Sequence, residues 1–266
     1  MLADITAARR IMERDPERWL YPLLELRDPV LASGISCYVP SDGGKEGELA
    51  IVSDYDGGTA VRLYSDRLDL LEEAASDPAV GCGTRFCFCA GLPAQLRGRD
   101  GFSAGAYRLY RDDTKRTLER YGLFGVQQTR LRAPVPPGFV LSEAERGDFR
   151  IPAEFRSCGS LPDCGAGKGD RLWFAAREDG TPVGYLWSTE AGEAFWDIVN
   201  VFVVPEARGF GIGKALVSRY IWEARLCGRR AYYGYAVSPE SAALARSMGF
   251  AGIFGETVSC YAASSV

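Results

Sequence analysis

The segment richest in chemistry is Pro205-Glu206-Ala207-Arg208-Gly209-Phe210-Gly211-Ile212-Gly213-Lys214, in which glycines alternate with other residues between two cationic side chains. Glycine lets a backbone come close to a ligand, and the N–H groups of a helix's first turn have no partner inside the helix. Residues 195–204 are rich in β-branched and aromatic types, and 215–226 carry apolar residues at helical spacing. The expected order is therefore strand, glycine-rich turn, helix. The positive end of the helix dipole falls at the same place, so this order makes a cradle for a phosphate or diphosphate.

Two familiar phosphate loops fail on residues. A Walker loop counted from Gly209 puts Lys214 where its last glycine belongs, and Gly213-Lys214 is followed by Ala215 instead of Ser or Thr. A dinucleotide fingerprint from Gly209 likewise needs glycine at Lys214, and the surrounding half lacks the alternating order of strand and helix. The chain has no histidine, which removes Ser-His-Asp and Cys-His catalysis and the HExxH zinc site. Proton transfer falls to carboxylate, tyrosine, cysteine, amine, backbone or water.

What the segment resembles is the pyrophosphate loop of the GNAT acyltransferases, whose Arg/Gln-x-x-Gly-x-Gly/Ala pattern is met by Arg208, Gly211 and Gly213. Val201-Phe202-Val203-Val204-Pro205 is similar to the family's preceding strand. The run from Ser238 to Gly249-Phe250 is similar to its later helix ending in Gly-Phe. The resemblance covers residues 138–266. It implies a GNAT fold with a mixed central sheet in the C-terminal half and an α/β (α+β) class overall.

The activity implied is N-acetyl transfer from acetyl-CoA, as cosubstrate, to a primary amine by direct attack in a ternary complex, with no metal. The coenzyme would lie between two splayed parallel strands, at 195–204 and 230–237. Backbone groups of Val201, Phe202 and Val203 would meet its pantetheine arm. Amides of Arg208, Gly209, Phe210, Gly211, Ile212, Gly213 and Lys214 would hold the diphosphate, with the Arg208 and Lys214 side chains adding charge. Ser238 stands where the family commonly has a CoA-contacting asparagine.

Asp197 is the first candidate for general base, through a water; the plainer alternative is an exposed carboxylate at a strand edge. The family's general-acid tyrosine is replaced by Ala245. Tyr233, on the second splayed strand, is the preferred substitute, ahead of Tyr232, Tyr235 and Tyr261. A noncatalytic acyl-CoA-binding or interaction protein is the alternative, since an intact loop serves both. Asp163, Asp170, Glu190, Glu193 and Asp197 would favour a cationic acceptor, although surface solvation explains most of them equally well.

These groups must be positioned by a chain of 266 residues, enough for two small domains. Ala133-Pro134-Val135-Pro136-Pro137-Gly138 reads as an extended connector. The expected division is an N-terminal α+β domain over 1–132, a linker over 133–138 and an acyltransferase domain over 139–266. In the first domain, helix is expected near 2–26, 69–76 and 106–121, and strands near 34–39, 48–53, 59–65, 85–90 and 125–132. A hairpin turn is expected at Asp56-Gly57-Gly58. Helix is also expected within 146–156 and a glycine-rich loop over 157–169.

The arginines near 97–120, interleaved with acids, read as an ion-paired solvated face. Pro93 followed by Arg97-Gly98 is a faint echo of the later loop, leaving room for a diverged second GNAT unit. A net charge of −4 disfavours nucleic acid, and no apolar run approaches membrane-spanning length. The eight cysteines are expected as reduced, packed thiols of a cytoplasmic protein. A homodimer is compatible with all of this.

Overall fold

The computed structural model describes residues 2–3, 5–27, 32–40, 42, 47–55, 58–97, 101–110, 123–129, 131–144, 169–254 and 258–264. Its strands in chain order begin with β1 (Leu2–Ala3), β2 (Ser36–Tyr38), β3 (Ala50–Tyr55), β4 (Gly58–Leu63), β5 (Arg85–Phe88), β6 (Gly101–Ala104), β7 (Tyr107–Tyr110) and β8 (Leu123–Gln127). They continue with β9 (Phe139–Glu143), β10 (Arg171–Arg177), β11 (Pro182–Ala191), β12 (Phe195–Val203), β13 (Arg230–Tyr235), β14 (Phe250–Phe254) and β15 (Val258–Ser264). The helices are α1 (Ile5–Glu13), α2 (Leu20–Arg27), α3 (Leu68–Ala75), α4 (Ile212–Leu226) and α5 (Pro239–Ser247).

Two mixed sheets result, ordered β1-β2-β3-β4-β5-β15-β7-β6 and β14-β8-β13-β12-β11-β10-β9. In the first, period-2 alternation sends successive side chains to opposite faces, and each face is covered. Ala50, Val52, Val61, Leu63, Phe86 and Phe88 pack with Leu70, Leu71 and Ala74 of α3. Ile51, Cys37, Tyr64 and Cys89 pack with Ala8, Met12, Trp19 and Leu23 from the α1–α2 region. Arg62 shares that second face, where its guanidinium bonds both carboxylate oxygens of Glu25 and, at 3.0 Å, the Ser53 hydroxyl.

The chain divides into a first unit of residues 1–123, 235–239 and 252–266, and a second of 124–234 and 240–251. This differs from boundaries at 132 and 139, and strand exchange is the reason. β8, ahead of the proline-rich stretch, enters the second sheet between β13 and β14, while β15 at the C-terminus enters the first between β5 and β7. The proline-rich stretch itself belongs to the second unit. The Ala133 N–H donates to the Ser218 hydroxyl at 2.7 Å, and Arg132 lies 4.4 Å over the Trp222 ring.

Other differences are local. The helical stretch expected over 2–26 is two helices, with Pro16 in the break, preceded by β1. The helix expected over 106–121 is contradicted where it is described. Tyr107–Tyr110 is a strand paired with β6 and β15, its Leu109 fully buried. Residues 111–122 and 145–168 lie outside the described residues, and with them most of the ion-paired face, the expected helix at 146–156, most of the glycine-rich loop and Asp163. Tyr55 pairs with Gly58, as the hairpin requires, while turn positions 56 and 57 lie outside the described residues.

Cys87 and Cys89 do share one face of β5 and its extension, in the cluster that holds Cys37. The cysteines at 37, 82, 87, 89, 227 and 260 are free thiols, and burial pushes Cys37 up to about 11. Among the described residues, no helix is long and apolar enough to cross a membrane and no cluster of Cys, Asp and Glu could hold a metal ion.

Candidate functional site

β12 is the element on which the site depends. It pairs antiparallel with β11 along its whole length, from Phe195 opposite Ala191 to Val203 opposite Gly184. Its parallel ladder with β13 is shorter: Phe195 pairs with Arg230, Trp196 with Ala231 and Asp197 with Tyr232, and there it ends. The other ladder is irregular just past that point. Trp187 faces Asn200 and Ser188 faces Ile198, so Val199 is an extra residue, a β-bulge. A bulge bends its strand and increases local twist, which turns the rest of β12 away from β13. The splay expected from the sequence is thus present, and Val201, Phe202 and Val203 line its β12 side.

The turn beyond β12 is a short 3-10 segment, Pro205–Ala207, followed by Arg208 and then α4. Gly209 and Gly211 have φ of +83° and +89°, a region that L side chains rarely adopt, so both glycines are required by the backbone. Gly211 is the N-cap of α4 and, having no side chain, cannot cap it. The first helical bond closes from the Ala215 N–H to the Gly211 carbonyl at 3.0 Å, which leaves the amides of Ile212, Gly213 and Lys214 ahead of it. No acidic residue stands in the first turn.

Gly213 supplies a test of fit. A Cβ there would meet Leu244 at 3.5 Å and Val203 at 3.9 Å, ordinary packing distances. The protein's own packing therefore does not demand glycine at 213, and the missing side chain leaves the backbone there open to close approach by an anion. The residues present fit a diphosphate.

The Arg208 and Lys214 side chains are exposed, and Arg208 Nε donates to the Val203 carbonyl at 3.0 Å. That bond ties the loop to the end of β12 and uses one of the carbonyls expected to meet the pantetheine. Phe210 is exposed, with its ring 5.9 Å from Phe139. Ser238 directly precedes α5 and is half-buried.

Asp197 is only 7% exposed, on a strand paired on both sides at that residue, which excludes the exposed-edge reading. Tyr220 of α4 lies close to it. Burial, and secondarily the Asp197 charge, push the Tyr220 phenol well above its ordinary pKa. Tyr233 is buried on the other face of β13, its ring 5.9 Å from Phe124 and 5.1 Å from Phe250. Its hydroxyl donates to the Ser241 carbonyl at 3.0 Å, and burial pushes it up to about 12.

Tyr232 is fully buried against Phe195 at 5.8 Å, while Tyr235, stacked on Tyr21 at 5.0 Å, and Tyr261 on β15 group with the first unit. Ala245 is buried in α5. Of the other acids, Glu190 and Glu193 are exposed and Asp170 is half-buried.

Sequence reasoning missed Tyr220 and the bulge at Val199. A signal for Tyr220 existed: Leu216, Tyr220 and Ala224 share one buried stripe of α4, and a lone hydroxyl on such a stripe must find a partner.

Comparison with known proteins agrees with this geometry. The sequence model of the Acetyltransferase (GNAT) family matches residues 140–250. The GCN5-related N-acetyltransferase from Sphaerobacter thermophilus is 16% identical, with 97% of this chain and 93% of that chain covered at a TM-score of 0.54. A Drosophila protein of known structure is 13% identical, with 98% and 97% covered at a TM-score of 0.53. At such identities the likeness is one of fold, and it spans both units. No curated protein matches the sequence. Residues 140–250 of this chain are thus similar to the acetyltransferase domains of the GNAT family.

Proposed function

We propose that the protein transfers an acetyl group from acetyl-CoA to a primary amine by direct attack in a ternary complex. The observation that carries this is the end of the β12–β13 ladder at Asp197, followed by a glycine-capped helix with an open first turn. The amides from Gly209 to Lys214 hold the diphosphate, and Arg208 and Lys214 add positive charge. Val201 and Phe202 meet the pantetheine arm, which sets the thioester beside the bulge, close to Asp197.

Asp197 takes a proton, through water, from the bound ammonium, and the neutral amine attacks the thioester carbonyl. As the C–S bond breaks, the thiolate takes a proton and the new amide's nitrogen gives up its second. Ammonium and thioester thereby yield amide, thiol and one proton to solvent. Tyr233, expected as the acid, holds its proton at about 12 and is bonded to Ser241. A thiol titrates at ~8.5, so transfer from that phenol runs uphill, whereas the cationic nitrogen of the tetrahedral adduct is acidic enough to pass its second proton to the departing thiolate. Tyr233 anchors α5 to β13.

The acceptor is a cationic amine and the reaction takes place in the cytoplasm, without nucleic acid or membrane as partner. The first unit is a diverged copy of the same fold. A second reading, acyl-CoA binding without turnover, is favoured by the burial of both Asp197 and Tyr233.

Incubation with acetyl-CoA and a panel of small polyamines, amino sugars and lysine peptides separates the two readings. Products are followed by mass, because exposed Cys82 and Cys227 would react with thiol reagents. An amine product 42 Da heavier, formed with free CoA, is expected. Saturable binding with no acetylated product in any arm would leave the second reading, and no binding would end both.

A further inference from the structure

The two strands part at a defined place, and one side chain of α4 occupies it. The Tyr220 ring is fully buried, 6.2 Å from that of Trp173. Its hydroxyl touches both strands. It accepts the Tyr232 N–H at 3.0 Å, lies 2.8 Å from the Tyr232 carbonyl and hydrogen-bonds the Trp196 carbonyl. These groups belong to the last rungs of the ladder, where Trp196 faces Ala231 and Asp197 faces Tyr232.

A buried phenol needs a partner for its hydroxyl, and backbone groups at the buried end of a ladder need partners for theirs. Here each satisfies the other. The first unit supplies a control within the same chain. There β4 runs parallel to β5 from Ala60 to its last residue, Leu63, whose carbonyl accepts the Cys89 N–H at 2.8 Å. The buried side chains of the intervening helix, α3, are Leu70, Leu71, Ala74 and Ala75, none with a polar atom. The strands stay together where no hydroxyl enters.

We propose that Tyr220 is a positioning residue whose hydroxyl fixes where β12 and β13 separate, and hence the depth of the opening that receives the pantetheine arm. The second half of this statement rests on the function proposed above. The bulge at Val199 bends β12 alone, whereas the phenol holds both strands and sets their spacing at the point of departure. It touches no substrate atom.

Tyr220→Phe keeps the ring and removes the oxygen. In the nucleotide-free protein, exchange of the Tyr232 amide should accelerate at least tenfold, with amides inside α4 changing less than twofold. Acetyl-CoA should bind about tenfold more weakly, while 3′-phosphoadenosine 5′-diphosphate, which lacks the pantetheine arm, binds within twofold of wild type. Unchanged Tyr232 exchange, or equal weakening of both ligands, would overturn the proposal.

Should the variant not fold, wild-type protein decides: Tyr232 protection equal to that of the slowest α4 amides supports it, and protection tenfold lower overturns it. Wild type that takes up no acetyl-CoA, with Tyr232 exchange accelerated in the variant, would defeat the proposed function and leave the strand-parting role standing.

Discussion

Helices α3 and α4 occupy matching places in the two sheets. Each follows the second strand of an antiparallel hairpin, β3–β4 or β11–β12, and leads into a parallel neighbour, β5 or β13. Beyond that neighbour lies a strand from a distant part of the chain, β15 or β8. Their N-termini are opposite in character. The turn into α3 is Tyr64-Ser65-Asp66-Arg67, without glycine. The Ser65 hydroxyl accepts the Arg67 N–H at 3.2 Å, Asp69 stands in the first turn, and Arg67 is held by Asp42 and Asp69 at 2.9 and 2.6 Å.

The first helix end thus carries its own negative charge, above a ladder that runs to the end of β4. The second has no first-turn acid, a glycine for its cap and a ladder that ends early. Topology alone does not make an anion site; the cap, the first-turn charge and the point at which the strands part do. The echo at Pro93 and Arg97 does not mark the matching loop, because it follows β5, where the second sheet has α5.

On the function proposed above, coenzyme binding falls to the second unit and the interior of the first serves stability. The largest expected effect is on stability. Arg62→Ala strands the Glu25 carboxylate and should cost about 3–5 kcal/mol in denaturant unfolding. Acetyl-CoA affinity of the folded fraction should stay within twofold, and a parallel loss of affinity would break the contrast.

Asp197→Asn should lower the rate of amine acetylation by about a hundredfold or more, with acetyl-CoA affinity nearly unchanged. A loss confined to KM would remove Asp197 from the chemistry. Gly211→Ala, at φ +89°, should weaken acetyl-CoA about tenfold, equivalent to about 1.4 kcal/mol. Gly83→Ala in the first unit, at φ +88°, meets comparable backbone strain and should leave affinity untouched.

Tyr233→Phe should be the mildest, costing about 1 kcal/mol through the lost bond to Ser241, with turnover reduced less than threefold. Its sign in alkali is fixed by the direction of its shift. The folded protein keeps the phenol's proton up to about 12, whereas the unfolded chain releases it at the ordinary phenol value of about 10. The unfolded state then binds fewer protons, so stability falls as pH rises from 10 to 12, and the variant should show a shallower decline in melting temperature.

The loop and its flanking elements were legible because they are local: strand composition, glycine spacing and helical periodicity all fall within 195–226. The hairpins were legible for the same reason. The exchanged strands were not, because nothing within β8 or β15 says which sheet it joins. That depends on which edge is left open some hundred residues away, and it moved both expected boundaries. Helix-compatible charge spacing after Ala106 concealed β7, whose Leu109 is buried by pairing with β15, a strand from the far end of the chain.

At the site, Asp197 was found from its strand position, but its burial depends on both neighbouring strands. The sequence drew attention to Tyr233 as an aromatic donor without revealing that Ser241 accepts its proton. The bulge at Val199 is a property of register between two strands, which no single-strand pattern contains.

Calorimetric titration of the intact chain with acetyl-CoA tests the account most directly. One molecule bound per chain, with affinity lowered by Gly211→Ala and unaffected by Gly83→Ala, is the result the structure predicts. Two molecules per chain would mean that the turn into α3 also accepts the coenzyme, and none would mean that the glycine-capped end of α4 does not hold a diphosphate.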